Sequence, residues 1–343
     1  MDKKYNVAVV GATGNVGREI LQILEERDFP IENLYCLASE KSKGKKLEFK
    51  QQEIIVESLD DFDFTKAHIG LFSPGSEVSS KFAPIASSKG CIVIDNTSYF
   101  RMQKDIPLIV PEVNGKELEN FFNAENKNKI ISNPNCSTIQ MVVALRPLHN
   151  LSKIKRVVVS TYQSVSGKGK SAMDELFEQT KGIYANKPIE KNNFTKQIAF
   201  NVIPHCDDFL DNGNTKEEQK MIDETKKIID DKIEISATCV RVPVFIGHSE
   251  SVNIEFESSV SIQQVKEALE NFPGISVIDY RKDEGYVTPV EIAGDDKVYV
   301  SRIRVDESKN NSLNMWIVSD NLRKGAALNT IQIAETIIEK NLI

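Results

Sequence analysis

The segment Asn133-Pro134-Asn135-Cys136-Ser137-Thr138 sets a thiol where a polar turn gives way to the apolar-periodic run Ile139–Leu148. At the start of a helix a cysteine meets unpaired backbone N–H groups and the positive end of the helix dipole, which favour its nucleophilic thiolate form. The same N–H groups can receive the charge that develops on a carbonyl oxygen under attack, and Asn135 stands beside the thiol. The other four of the five cysteines, Cys36, Cys91, Cys206 and Cys239, lie in strand-like or loop segments without that start signal. Such cysteines read as small buried hydrophobes. There is no CxxC pair, so neither a disulfide framework nor a cysteine zinc site is suggested.

Thiol chemistry on a carbonyl also needs a proton donor or acceptor, which can be distant in sequence. Of four histidines, His248 stands out, in the turn-like segment Arg241-Val-Pro-Val-Phe-Ile-Gly-His248-Ser between two β-type runs. A structural histidine is the competing reading there; His68, His149 and His205 give no comparable signal. A second constellation is Gly11-Ala-Thr-Gly14-Asn-Val-Gly17, which follows the first strand and opens the first helix. Glycines there permit a tight turn and close backbone approach, and the helix N-terminus suits a pyrophosphate, so the loop reads as dinucleotide-binding. The bland alternative is a glycine-rich turn that binds nothing. After the second strand, Ala38-Ser39-Glu40-Lys41-Ser42-Lys43 offers hydroxyls and cations suited to the 2′-phosphate of NADP, although Glu40 and a purely solvated lysine loop both pull against that choice.

These residues need a scaffold, and 343 residues exceed what one hydrophobic core usually organises, so two domains are expected. With 40% hydrophobic and 27% charged residues the composition is that of a soluble globular protein. A formal net charge of -7 argues against nucleic-acid or anionic-membrane partners, so an anion site must rest on a few focused cations. Met1–Tyr5 runs into a strand without a signal-type apolar region, and no apolar stretch approaches membrane-spanning length; a cytoplasmic location is expected.

The alternation of strand-like Asn6–Val10, Asn33–Ala38, Ile54–Val56, His68–Phe72 and Cys91–Asp95 with helical Val16–Arg27 and Glu77–Lys89 predicts a parallel, doubly wound, Rossmann-like α/β domain. From Arg156 the β-type runs Arg156–Gln163, Ile235–Val242, Ser249–Glu257, Val298–Val305 and Asn314–Ser319 predict an α+β domain built on a mostly antiparallel sheet. Helical periodicity over Leu322–Lys340 suggests that the chain returns to the first domain. The expected division is therefore 1–134 completed by 322–343, and 135–321. Lys41–Lys50 and Asn123–Lys129 read as solvated loops.

The glycine loop, Ser132-Asn-Pro-Asn-Cys136-Ser-Thr, Tyr162-Gln163-Ser-Val-Ser-Gly167, Arg241-Val-Pro-Val and Gly247-His248-Ser follow one another in the order and approximate spacing of the aspartate-semialdehyde dehydrogenases. Val318-Ser-Asp-Asn321-Leu and Lys324-Gly-Ala-Ala327 extend the match, so the whole chain resembles that family, and its Gram-positive-type bacterial branch in particular. The resemblance implies NADPH-dependent reduction of L-4-aspartyl phosphate to L-aspartate-4-semialdehyde and phosphate, on the way to lysine, methionine and threonine. It also implies a homodimer formed through the second domain, which is then the catalytic and dimerisation domain.

Motif by motif, the resemblance makes Cys136 the acyl-accepting nucleophile, flanked by Asn135, with His248 the general acid/base and Gln163 orienting substrate. Arg241 would grip the substrate carboxylate, for which its planar fork is suited. Glu217 would meet the substrate ammonium or hold Arg241, and Arg101 and Lys220 would bind the leaving phosphate. The cofactor would lie on Gly11, Thr13, Gly14, Asn15, Val16, Ser39, Lys41, Ser42 and Ser73, with its nicotinamide end near Gly167, Lys168 and Asn321. Lys168-Gly169-Lys170 and Lys41 depart from the family pattern near the expected cofactor phosphates. Competing readings are an N-acetyl-glutamyl-phosphate reductase, a catalytically silent dinucleotide-binding regulator, and a short-chain-type reductase, for which no Tyr-x-x-x-Lys pair stands in a convincing helical context.

Overall fold

The computed structural model describes residues 3–124 and 128–343; positions 1–2, and 125–127 of the loop expected over 123–129, lie outside the described residues. The chain divides into two compact units, one running to Pro134 and resuming over Ala326–Ile343, the other spanning Asn135–Gly325. No helix among the described residues is long and apolar enough to cross a membrane.

The first unit contains, in order, β1 (Tyr5–Val10), α1 (Asn15–Glu26), β2 (Ile31–Ala38), β3 (Lys46–Phe49), β4 (Gln52–Ile55), β5 (Glu57–Ser58), β6 (Ile69–Phe72), α2 (Ser76–Ser88), β7 (Ile92–Asp95), α3 (Pro111–Asn114), α4 (Glu117–Asn123) and β8 (Ile130–Ser132). Its main sheet has the order β5-β2-β1-β6-β7-β8 and all its pairings are parallel. Each central strand buries both faces: Val7 and Val9 of β1 join one apolar cluster with α1, while Ala8 and Val10 join another with Ala83 and Ala86 of α2. That explains the near-continuous Val/Ile runs. The C-terminal segment supplies Leu328, Ile331 and Ala334 to the first cluster, so this unit is built from both ends of the chain.

Lys41–Lys50 is not the loop expected. Glu40–Ser42 forms a 3-10 turn and Lys46–Phe49 is β3, paired antiparallel with β4 in a separate hairpin. Leu47 and Phe49 alternate inward between exposed charges, a two-residue period that the lysine content masked. The strand expected at Ile54–Val56 belongs mainly to this hairpin, and Glu57–Ser58 takes the edge of the main sheet.

The second unit contains α5 (Cys136–Leu151), β9 (Ile154–Gln163), α6 (Lys170–Tyr184), α7 (Lys216–Ile228), β10 (Glu234–Arg241), β11 (His248–Phe256), α8 (Ile262–Glu270), β12 (Ile275–Val277), β13 (Val298–Val305) and β14 (Ser312–Ser319). The sheet order is β10-β9-β11-β14-β13-β12. It is mixed: β10 with β9 and β12 with β13 are parallel, the other pairings antiparallel. Helices α5 and α7 lie against this unit's strands, with α5 buried along most of its length. A π-helical turn, Arg323–Ala327, precedes α9 (Leu328–Glu339) in the segment expected to be one continuous helix.

Cross-strand register sets the polar layout. Arg241 pairs with Gln163, Ser249 with Tyr162, and His248 with Ser319, so Arg241, Gln163, His248 and Ser319 fall in one row on one face of the sheet. The next row inward on the same face is Cys239, Thr161, Glu250 and Ile317.

In the first unit, a Cβ on Gly17 of α1 would lie 2.2 Å from the Gly11 carbonyl oxygen and 2.7 Å from Ala12 Cα, backbone that no rotamer change can move. Gly17→Ala is expected to destabilise that unit by on the order of 2–3 kcal/mol. Gly182→Ala in α6, where nothing lies closer than 3.5 Å, should be neutral or stabilising. Denaturant midpoints of the two variants check the contrast.

Candidate active site

Asn135 caps α5: its Oδ1 accepts from the Ser137 and Thr138 N–H groups at 3.0 and 3.3 Å, leaving Cys136 as the first residue of the helix. The cap is itself held from α7. The Asn135 N–H donates to Glu224 at 2.6 Å, and its Nδ2 donates to Glu217 Oε1 at 3.0 Å. A Cβ on Gly325 would come 2.9 Å from Cys136 Cβ, so only glycine leaves the thiol this room. Among the cysteines, Cys136 alone is not buried. Burial pushes the thiols of Cys36 and Cys91 up to about 12 and that of Cys206 to about 11, and raises that of Cys239 further. These four are poor nucleophiles at neutral pH.

His248 opens β11 after Gly247, whose φ of +94° suits glycine. Its Nδ1 accepts from the Ser164 N–H at 3.0 Å, so the neutral ring carries its proton on Nε2. Burial, aided by the Arg241 charge, lowers its pKa to about 3 and keeps it neutral. Nε2 has no hydrogen-bond partner among the described residues. A Cβ on Gly167 would stand 3.3 Å from that Nε2 and 3.4 Å from Arg241 Nη1, so the two side chains converge over a bare backbone. Arg241 Nη1 is fixed by the Ser164 carbonyl at 2.7 Å.

Glu217 ties this group together. Its Oε1 accepts from both Asn135 Nδ2 and Gln163 Nε2 at 3.0 Å, and its Oε2 meets Lys220 Nζ at 3.1 Å. Burial works to raise this carboxyl, but Lys220, the two amides and Arg241 outweigh it and hold it down to about 2. Lys220 also pairs with Asp207 at 2.7 Å. Asn321, expected at the nicotinamide, is buried and its Oδ1 accepts from Ser164, Ser166 and the Gly247 N–H at 2.9–3.1 Å, clamping the turn that carries His248. Lys168 Nζ lies over the Phe194 ring, 5.5 Å from its centroid. Ser164, Ser166, Glu224 and Gly325 escaped the sequence reading, although Glu224 follows Glu217 by seven positions on a helix announced by the Thr215–Glu218 capping box.

The other histidines are occupied elsewhere: His68 accepts from the Asn6 N–H, His149 meets Lys153 and Asp230, and His205 stacks on Phe209.

In the first unit, the loops after β1, β2 and β6 meet where the strand order reverses, the position at which open α/β sheets bind ligands. They form a cleft of about 570 Å³ whose lining includes Gly11, Thr13, Gly14, Ser39 and Ser73. Gly11 has φ +84°, and a Cβ there would lie only 2.7 Å from the Ser73 carbonyl oxygen. Gly14 offers no side-chain cap to α1, leaving that cap position open for an anion. These features fit a dinucleotide pyrophosphate. Asn15 and Val16 open α1, and Lys41 is exposed in the 3-10 turn. Ser42 is buried and its Oγ accepts from Lys45, so it does not line the cleft. Arg101, after β7, is buried and donates to the Asn96 carbonyl at 2.8 Å.

One equivalent of iodoacetamide at neutral pH should label Cys136 selectively, read by peptide mass mapping; labelling spread over the buried thiols would contradict the geometry. Because the folded pKa of His248, about 3, lies below its ordinary 6.5, the stability contributed by its neutral ring is complete above pH 6.5. It is lost as pH falls toward 3, by up to about 1.4 kcal/mol per pH unit. A His248→Asn variant should show a correspondingly shallower acid slope in denaturant titrations.

Comparison with known proteins agrees with this layout. Residues 6–121 match the model for "Semialdehyde dehydrogenase, NAD binding domain" and residues 145–324 that for "Semialdehyde dehydrogenase, dimerisation domain". The aspartate-semialdehyde dehydrogenase of Rickettsia bellii is 56% identical over 100% of both chains. The structure of aspartate semialdehyde dehydrogenase II from Vibrio cholerae complexed with ASA superposes with a TM-score of 0.95 at 48% identity, covering 98% of this chain and 99% of that one. The Candida albicans enzyme with NADP gives 0.79 at 26% identity, covering 99% and 100%. The expected Gram-positive-type branch is not borne out, since relatives this similar come from Rickettsia, Shewanella and Vibrio. On its full-length identity and on both family models, the chain belongs to the aspartate-semialdehyde dehydrogenase family.

Proposed function

We propose that the chain catalyses the NADPH-dependent conversion of L-4-aspartyl phosphate to L-aspartate-4-semialdehyde and phosphate, as a cytoplasmic homodimer in the biosynthesis of lysine, methionine and threonine. The observation that carries the reading is Cys136, the partly exposed thiol at the first turn of α5, whose cap residue Asn135 shares the buried Glu217 carboxylate with Gln163.

The Cys136 thiolate attacks the acyl carbon, and the oxyanion that forms is met by N–H groups at the start of α5. The C–O bond to phosphate breaks with its electron pair on the phosphate, for which Arg101 and Lys220 supply positive charge, and a thioester remains on Cys136. Bound NADPH supplies a hydride to that acyl carbon. The resulting hemithioacetal alkoxide accepts a hydrogen bond from His248 Nε2–H and then re-forms the carbonyl, expelling the thiolate in its starting state. Held neutral, His248 acts chiefly as this donor; an imidazolium is not required.

Arg241 takes the substrate carboxylate, Gln163 orients the acyl group, and Glu217 keeps Gln163 and the Asn135 cap in place while offering its charge to the substrate ammonium. In the first unit the cleft residues Gly11, Thr13, Gly14, Ser39 and Ser73, with Asn15 and Val16 at the start of α1, hold the pyrophosphate half of NADP, and Lys41 and Ser42 belong to the segment that discriminates its 2′-phosphate. Gly167, Lys168 and Asn321 make up the nicotinamide side in the second unit. The division into a cofactor domain, 1–134 with the C-terminal helix, and a catalytic and dimerisation domain follows from these roles.

Incubation with L-aspartate-4-semialdehyde and NADP should give cofactor reduction at 340 nm that depends on phosphate and is weaker with NAD. Cofactor reduction without phosphate, or no reduction with either cofactor, overturns the reading. Cys136→Ala should lose nearly all turnover while keeping cofactor affinity, and Glu217→Gln should lower kcat/KM by on the order of tenfold to a hundredfold.

A further inference from the structure

Glu250, on β11 two residues after His248 and on the same face of the sheet, is fully buried, and neither of its carboxyl oxygens has a hydrogen-bond partner among the described residues. Its row neighbours are Thr161 on β9 and Ile317 on β14, and His248, held neutral, precedes it on its own strand. Among the described residues the one polar side chain that acts on it is the amide of Gln140, from α5. Gln140 is fully buried too, and its Oε1 is likewise without a partner, while its Nε2 donates to the His248 carbonyl at 3.3 Å. Gln140 stands one helical turn after Cys136, on the same side of α5.

An ionised carboxylate without a cation is among the costliest groups to bury, and the Gln140 amide, which favours the charged form, is outweighed by that burial. A single proton resolves both orphans. We propose that Glu250 and Gln140 form a proton-carrying clamp, in which the carboxyl O–H donates to Gln140 Oε1, its carbonyl accepts one Nε2 hydrogen, and the other Nε2 hydrogen goes to the His248 carbonyl. Burial holds the Glu250 carboxyl well above the usual carboxylate range, consistent with a neutral acid at physiological pH. The clamp ties the first residue of β11 to the helix that carries the nucleophile, so Glu250 is a positioning residue: it fixes where the His248 ring stands relative to Cys136 without touching substrate.

The kinetic part of the test rests on the acyl-phosphate reductase reading; the spectroscopic and stability parts need no substrate, so failure of one is distinguishable from failure of the other. In the full-length enzyme at pH 7, the infrared difference between wild type and Glu250→Gln should contain the carbonyl stretch of a protonated carboxyl; its absence overturns the proposal. Glu250 is protonated when folded and ionised when unfolded, so its stabilising effect is complete below the ordinary 4.5 and fades as pH rises. The unfolding equilibrium constant of wild type should therefore grow, relative to that of Glu250→Gln, by up to about tenfold per pH unit above that value. A flat ratio overturns it.

In the phosphate-dependent assay, Glu250→Leu and Gln140→Met should each lower kcat by on the order of tenfold or more, with KM little changed. Glu250→Gln, which preserves an amide pair, should restore kcat to within a few-fold of wild type. If Glu250→Leu does not fold, Gln140→Met alone carries this arm, and unchanged kcat in Gln140→Met overturns the clamp.

Discussion

A buried carboxylate holding the helix cap beside Cys136 is the constraint on which the second unit depends. Glu217 cannot be removed from water without partners, and those it has, the Asn135 amide, the Gln163 amide and Lys220, tie the cap of α5 to β9 and α7. Glu224, one heptad further along α7, takes the Asn135 backbone N–H. Side chain and main chain of the cap are thus gripped from one helix face, and the remaining acceptor of Asn135 is spent on the first turn of α5. The thiol is then presented to the site by a helix whose start has little freedom to fray.

The sheet beneath supplies the second half of the arrangement. Parallel pairing of β10 with β9 and antiparallel pairing of β9 with β11 bring Arg241, Gln163 and His248 into one row, though they are far apart in the chain. Because neighbouring rows point inward together, the row of Thr161 and Glu250 lies directly behind. Polarity reaches two rows deep under α5, which is why so many hydrogen-bonding side chains are buried there. The loop between Ser164 and Gly167 is held by Asn321 and in turn sets the tautomer of His248, so a backbone N–H behind the ring leaves its proton on Nε2.

Much of this was legible in the chain itself. The glycine loop lies on a strand-to-helix turn, and Cys136 begins a helix, because both signals are local: glycine at a crowded or left-handed backbone position, and an asparagine cap before an apolar run. The strands of the first unit were readable because burial on both faces demands continuous apolar runs. The hairpin of β3 and β4 was not, since its strands are four residues long and β3 alternates Leu47 and Phe49 with exposed charges inside a lysine-rich run. The second sheet is mostly antiparallel, as expected, but its two outer pairings are parallel, because hydrophobic pattern gives a strand's faces and not the direction of its neighbour.

The sequence by itself determined the chemistry available, a thiol at a helix start, a histidine after a glycine, a glycine-rich phosphate loop, because each depends on residues a few positions apart. Only the tertiary structure decided which groups hold them. The Asn135 N–H meets a carboxylate 89 residues away and the His248 carbonyl meets an amide 108 residues away. Such pairings are fixed by strand register and by the satisfaction of buried polar groups, and these operate only once the chain has closed around them.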